Sequence, residues 1–539
     1  MSRLVRRSAL SALLFCGLLA SSHCGLAQDA EDWLERASAA QSAGNFADAA
    51  KDYAQATILS PDVPELWSNR GVMEYMAGQL DASVASLKKA LQLKPGLYAP
   101  MVFLGKAYVR LGKPALALPW LNQAHAIQLR DTEVLIALAR ANADLGNRRI
   151  AIGLYSDTTR IDARNSVAWF GLGVSSLDVI TADGRKLATT QPDSLWARAL
   201  HADELLVQGR PVEATDRYRT AWSLASPSQR ATLMQALNWM ESNPDLYPLP
   251  QNSQDALRKL IADFSAAPAN PASPTCEAIE PSSDTGSEVS SGKLMHQAEC
   301  AYWSGDYPGS SNLAGKLLRR DPTNAEALYW SIKANERIAV AALSRFEEIN
   351  PQSSKDYVMV GDLYRLQKQM DNALKEYNKA LAIDPHDLSA LMGSADAYFE
   401  NGNLDQAAAL DQSALDNRPQ DVQLNLLMAD ILAARNQFGL AKPYLDKCLD
   451  APPELQSRVH ALLGRAAAEE GKTKEAIHQF ELALPGDKDG SVHYQLSRLY
   501  QKVGELAKMR QAQAEAKSLM HKRDANAAIA IREATAPEP

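Results

Sequence analysis

The sequence predicts an all-α protein, a solenoid of helix pairs arranged in two arms. Three observations predict it. The first is a period: Gly44, Gly78, Gly112 and Gly146 recur 34 residues apart, as do Ala49, Ser83, Ala117 and Ala151, and Ala56, Ala90 and Ala124. The second is the spacing of the apolar residues. With those glycines at position 15 of each unit, large side chains return at position 4 (Trp33, Trp67, Met101, Leu135) and position 24 (Tyr53, Leu87, Leu121, Tyr155), the pattern of two amphipathic helices per unit. The third is Pro61 and Pro95 at position 32, where a residue without an N–H ends the second helix. Small residues at positions 8, 20 and 27 let the helices approach closely, and the glycine makes the turn between them.

Taken in order, residues 1–27 come first and differ from the rest. Arg3, Arg6 and Arg7 precede the apolar run "ALSALLFCGLLA", and "GLA" stands ahead of Gln28: a charged start, a short hydrophobic stretch and a small-residue cleavage site, the marks of a signal peptide. Cleavage after Ala27 would take the formal net charge from −8 to −11. A lipid anchor at Cys24 is the alternative, but Ser21, Ser22 and His23 are a poor context for one. The run is too short for a transmembrane helix, which needs about 20 apolar residues, so an exported chain, periplasmic or secreted, is expected. Its mild acidity argues against nucleic acid, which requires clustered Lys and Arg.

Four units run unbroken from Ala30 to Asn165, and a fifth begins at Ser166 as "SVAWFGLGV" before degenerating. The pattern resumes with Gly209, Ala214, Tyr218 and Ala221, closing a first arm over residues 28–240. Residues 241–290 read as a linker. They hold one short helical piece, "SQDALRKLIADF", and then a stretch dense in Pro, Ser and acidic residues that cannot bury enough apolar surface to offset its ordering entropy. The second arm, 291–523, carries Gly305 and Pro322, a unit from Ala325 shortened by several residues, and clear units from Ser354, Leu388, Val422, Ser457 and Gly490. An Ala-rich polar stretch from about Glu505 suits a capping helix, ending in a flexible tail over 524–539.

The Trp, Leu-Gly, Tyr, Ala, Phe and Pro offsets resemble the signature of the tetratricopeptide repeat family. The resemblance implies right-handed superhelical segments whose concave face is lined by the first helix of each unit, with positions 2, 5, 9, 12 and 13 in the groove. Position 9 then reads Asp362, Asp396 and Asp430 in three consecutive units, preceded by Lys333 and followed by Arg465, with Arg365 and Phe399 beside them at position 12. In the first arm it reads Lys106 and Arg140, with Arg110 one turn on, so the two grooves are expected to carry opposite signs. The plainer reading is that these charges are solvated helix faces. Some family members hold a partner's C-terminal carboxylate with a Lys/Asn/Arg clamp. Here the clamp positions carry Leu34, Ser38, Asn69, Ala99 and Phe103, and Asn69 alone fits.

Catalytic, metal and cofactor motifs are lacking. No His-Glu-x-x-His, Gly-x-Ser-x-Gly or Cys-x-x-Cys is present, and His460 at position 4 reads as a half-buried structural histidine. "GKT" at Gly471–Thr473 has Ala466 where a phosphate loop needs its first glycine; in the repeat register Gly471 is a position 15 turn. "GLG" at Gly171–Gly173 sits on a first helix and reads as packing. Cys448, at the small-residue position 27, is expected to be a buried thiol, and Cys276 and Cys300 to be bridged, an export compartment being oxidising. The expectation is therefore a non-enzymatic exported scaffold that binds protein or peptide segments of envelope partners, with homodimers open. The alternative is an accessory or regulatory subunit of a cell-surface polysaccharide or envelope-assembly enzyme, contacting glycan through Phe170, Tyr329 and Phe399.

Overall fold

A computed structural model describes residues 24–244, 247–266, 276, 290–366 and 368–535. The leader predicted over residues 1–27 lies outside these except for its last four residues, as do nearly half of the predicted linker and the last four residues of the tail. The described residues are helical throughout their ordered elements. The first four helix pairs are α1 (Cys24–Ser42) with α2 (Phe46–Leu59), α3 (Pro64–Met76) with α4 (Leu80–Leu93), α5 (Tyr98–Arg110) with α6 (Pro114–Ile127), and α7 (Thr132–Asp144) with α8 (Arg148–Ile161). Then come α9 (Ser166–Thr190), α10 (Leu195–Val207), α11 (Pro211–Leu224), α12 (Pro227–Ser242) and α13 (Gln251–Ser265). The chain continues with α14 (Ser291–Trp303), α15 (Tyr307–Arg320), α16 (Ala325–Ile349), α17 (Ser354–Leu366), α18 (Met370–Ile383), α19 (Leu388–Glu400) and α20 (Leu404–Asn417). It ends with α21 (Val422–Ala434), α22 (Phe438–Asp446), α23 (Pro453–Glu469), α24 (Thr473–Ala483), α25 (Ser491–Lys502) and α26 (Leu506–Thr535).

The period works through two local devices. Position 15 takes a left-handed backbone, with φ of 78° at Gly44 and Gly78 and 75° at Gly471, and the next amide reaches back to close the helix, as Asn45 N does to Ala40 O at 2.9 Å. Gly471 is thus a helix-pair turn, as its register predicts. The same geometry holds where no glycine signals it: Lys368 and Asn436 stand at φ 60° and 56°, and Gln369 N bonds Tyr364 O at 2.9 Å. Position 8 supplies the close approach. A Cβ at Gly71 would come 2.6 Å from the Leu87 side chain, and one at Gly105 2.4 Å from Leu121.

The chain divides into two compact units, Met1–Leu129 with Tyr357–Pro539, and Arg130–Asp356. This corrects the division into arms at a 241–290 linker. The part of that segment described up to Ala266 is packed structure: Tyr247, Leu249, Leu257, Leu260 and Phe264 share one core with α10, α11, α14 and α16. In the first unit, the α5–α6 turn meets the α20–α21 turn, a Cβ at Gly112 falling 3.6 Å from Asp421 N.

The second unit is held by a pairing that the period hides. Successive repeat starts at Ser166 and Leu195, and at Ala325 and Ser354, are each 29 residues apart, five short of 34. The missing residues are those of the turn. Ile180 and Ala339 stand at position 15, nothing breaks the helix, and α9 and α16 each run for 25 residues. They pack on each other. A Cβ at Gly173, position 8 of α9, would meet Leu343 of α16 at 2.5 Å, the contact that Gly71 makes with Leu87 inside one repeat. Counting Leu343 as position 24 puts Ala339 at 20, Phe346 at 27 and Pro351 at 32. The start of α9 and the end of α16 thus form one repeat from segments about 170 residues apart in sequence. The reciprocal halves join as well, Leu187 sharing a core with Ala327, Leu328 and Ile332.

Candidate functional site

Position 9, expected to line a groove, is in several repeats bonded to position 24 of its own repeat. Tyr377 donates its hydroxyl to Asp362 Oδ1 at 2.6 Å. Tyr218 does the same to Asp203, and Arg140 contacts the Tyr155 hydroxyl, whose pKa burial pushes up to about 12. The long second-helix tyrosine crosses the pair and ends at the first-helix face, where a buried hydroxyl requires a partner. Sequence reasoning missed this coupling. Its signal was present as a Tyr fifteen residues after each of Asp203, Asp362 and Arg140.

Around the acidic row the structure adds cations. Arg365 Nη1 on α17 lies 3.3 Å from Asp396 Oδ2 on α19 and 3.9 Å from Glu400 Oε1. Burial works to lower the Arg365 pKa, but Asp396, Tyr377 and Asp362 outweigh it and raise it. Lys368 Nζ closes on Glu400 at 2.8 Å, and Arg458 on α23 reaches Asp430 at 2.5 Å. Burial lifts the Asp430 carboxyl to about 6, against the pull of Arg458, and lifts Asp396 as well. The ladder is therefore a paired row rather than a bare acidic strip, which corrects its expected character. Arg465 stacks over Phe438 at 4.7 Å. Phe399 is half-buried on the same helix as Asp396.

The expected basic groove divides. Lys106 belongs to the first unit and Arg140 to the second. In the first, Tyr75 and Phe103 meet edge to face at 5.3 Å, Arg110 lies 5.1 Å over the Tyr75 ring and Lys106 lies 5.6 Å over Phe103.

Lys333 is no groove residue. It is 4% exposed and bonds Asp203 Oδ2 at 2.8 Å. Tyr329 is 1% exposed and Phe170 packs on Phe346 at 5.2 Å. Cys276 and Cys300 form a disulfide with Cα atoms 5.5 Å apart. Cys448 is a buried free thiol that burial raises to about 11. His460 Nδ1 meets Gln479 Oε1 at 2.8 Å. Among the described residues no helix is long and apolar enough to cross a membrane, and no group of three or more His, Cys, Asp or Glu is placed to hold a metal ion.

Comparison with known proteins matches the tetratricopeptide repeat family at residues 34–98, 364–431 and 426–491. Tetratricopeptide repeat protein 21A of Mus musculus is 27% identical over 129 residues, 23% of this chain. The chain spans only 10% of that relative's length. Among solved structures, MamA from Desulfovibrio magneticus RS-1 is 19% identical and covers 32% of this chain and 97% of its own, with a TM-score of 0.29. YrrB, described as a TPR protein with an unusual peptide-binding site, is 22% identical over 33% of this chain and 92% of its own, with a TM-score of 0.29. The Cut9–Hcn1 hetero-tetramer of the APC/C is 16% identical over 91% of this chain and 87% of its own, with a TM-score of 0.30. The recurring helix pairs, their glycine turns and the matched repeats together make this chain a tetratricopeptide repeat protein with an all-α fold.

Proposed function

We propose that the protein is an exported, non-enzymatic scaffold that holds peptide or protein segments of cell-envelope partners on the first-helix faces of its repeats. One observation carries the reading. Arg365, Asp396, Phe399, Glu400 and Asp430 form a row on successive first helices that solvent reaches, with the Asp396 side chain 38% exposed. Such a row offers paired charges that an extended ligand can exchange for its own, and an aromatic surface for contact. Export rests on the charged and apolar leader of residues 1–27. The test is affinity capture from envelope extract with the mature chain, beside an Asp362/Asp396/Asp430→Ala variant. Partners that bind wild type and are lost with the folded variant support the row; recovery of none by either chain counts against the scaffold reading. The accessory-subunit reading retains Phe399, since Tyr329 is buried and Phe170 packs on Phe346. A saccharide array bound by wild type and not by Phe399→Ala would favour it.

A further inference from the structure

Asp411 on α20 is the exception in the paired row. It stands at position 24 of the repeat from Leu388, where the preceding repeat has Tyr377. Tyr377 spans the helix pair and bonds position 9; the shorter Asp411 holds the same place in its own pair, where position 9 is Asp396, the charge that acts on it most strongly. It is 0% exposed, and neither carboxylate oxygen has a hydrogen-bond partner. Asp396 on α19 and Asp421 at the α20–α21 turn are the charged groups that act on it, and both are acidic. Asp421 already serves its helix, accepting from Gln423 N at 3.0 Å. Arg365 pairs with Asp396 and Arg458 with Asp430, so the local cations are taken. A buried carboxylate without a partner is among the costliest groups a fold can keep, and burial accordingly holds Asp411 protonated, with its pKa pushed up to about 8.

We propose that Asp396, Asp411 and Asp430 form a seat for one basic side chain, Lys or Arg, of a peptide ligand. This rests on the peptide-scaffold reading. Asp396, at the surface, meets the cation first; Asp411, beneath it, gives up its proton to solvent and becomes the buried partner of the pair. Binding is thereby coupled to the release of a proton below about pH 8, which a carboxyl with a purely structural role would not do.

The test is selection of randomised twelve-residue peptides on the full chain, followed by affinities for the selected peptides between pH 6 and 9. The expected result is enrichment in one Lys or Arg whose replacement by norleucine weakens binding at least tenfold. Above pH 7, beyond the titration of Asp430 at about 6, binding should tighten toward pH 8 in wild type and stay flat in Asp411→Asn, with affinity at least tenfold weaker in both Asp411→Asn and Asp411→Leu. Thermal melts of both variants check that they fold. Peptides that bind without a basic residue, or equally well to the folded variants, overturn the seat and leave the scaffold reading standing. If no peptide is selected, the scaffold reading falls with it.

Discussion

The two units build the same repeat by different routes. In the first, each pair is contiguous: Gly361 on α17 packs on Tyr377 of α18, the next helix in the chain, a Cβ there coming 2.5 Å from the ring. In the second, Gly173 packs on Leu343, 170 residues on, at the same 2.5 Å. The difference teaches what the turn residues are for. Without them each helix continues for a second span, and position 8 finds its position 24 on a distant helix that has lost the same five residues. A contiguous repeat can be disturbed locally. A shared one ties α9 and α16 to both of the repeats they build, and carries buried polar groups within it and at its neighbours: Asp183 on α9 takes hydrogen bonds from Ser331 on α16 and Arg149 on α8, and Lys333 on α16 bonds Asp203 on α10.

The largest way to break this contrast is to take the buried partner from a buried charge. Asp203→Ala strips Lys333 of its 2.8 Å partner, leaving only the less buried Glu336 at 3.2 Å, and should cost about 3 kcal/mol, whereas Asp362→Ala in the first unit removes one tyrosine bond, about 1 kcal/mol. Denaturant melts measure both, and equal losses would deny that the buried pair is special. Next come two glycines of the same helix. Gly173→Val should cost about 2 kcal/mol through overlap with Leu343, while Gly184→Ala, which meets nothing within 4 Å, should stabilise by roughly 0.5–1 kcal/mol. Two losses of like size would mean that α9 and α16 do not make the shared repeat.

The third prediction concerns pH and has a counterpart in each unit. Glu299, buried against Glu326, has its pKa raised by burial to about 8, and Asp411 likewise to about 8. Both exceed their unfolded values, so the folded state holds the extra protons. Stability should therefore be highest below about pH 4 for these two groups and fall as pH rises from there to about 8. At pH 8.5, Glu299→Gln and Asp411→Leu should each raise stability by about 2 kcal/mol and flatten the slope of melting temperature against pH. A slope unchanged in both variants would assign it to other groups. The smallest effect lies at a turn. Lys368→Gly should stabilise the first unit by roughly 0.5–1 kcal/mol, because a residue with a Cβ is strained at φ 60°, and a destabilised variant would contradict the assigned turn.

Much of this was legible in the chain. The spacing of Gly44, Gly78, Gly112 and Gly146 sets helix, turn and close approach by local rules of backbone and side-chain size, so fold class and most helix boundaries follow without tertiary information. Even the shared repeats leave a trace, since Ile180 and Ala339 stand where a turn glycine belongs and both spacings fall short by five residues. Which partner each uninterrupted helix would find is a matter of long-range packing, and nothing local to Gly173 names Leu343. The candidate site divides in the same way. Asp362, Asp396 and Asp430 could be placed on one row from their period alone, but their partners come from other helices: Tyr377 from α18, Arg365 from α17, Arg458 from α23. Whether a carboxylate is free, paired or stranded depends on the charges and burial that neighbouring helices bring to it. Tertiary structure alone decided that Asp362 is bonded, Lys333 buried and Asp411 left without a partner.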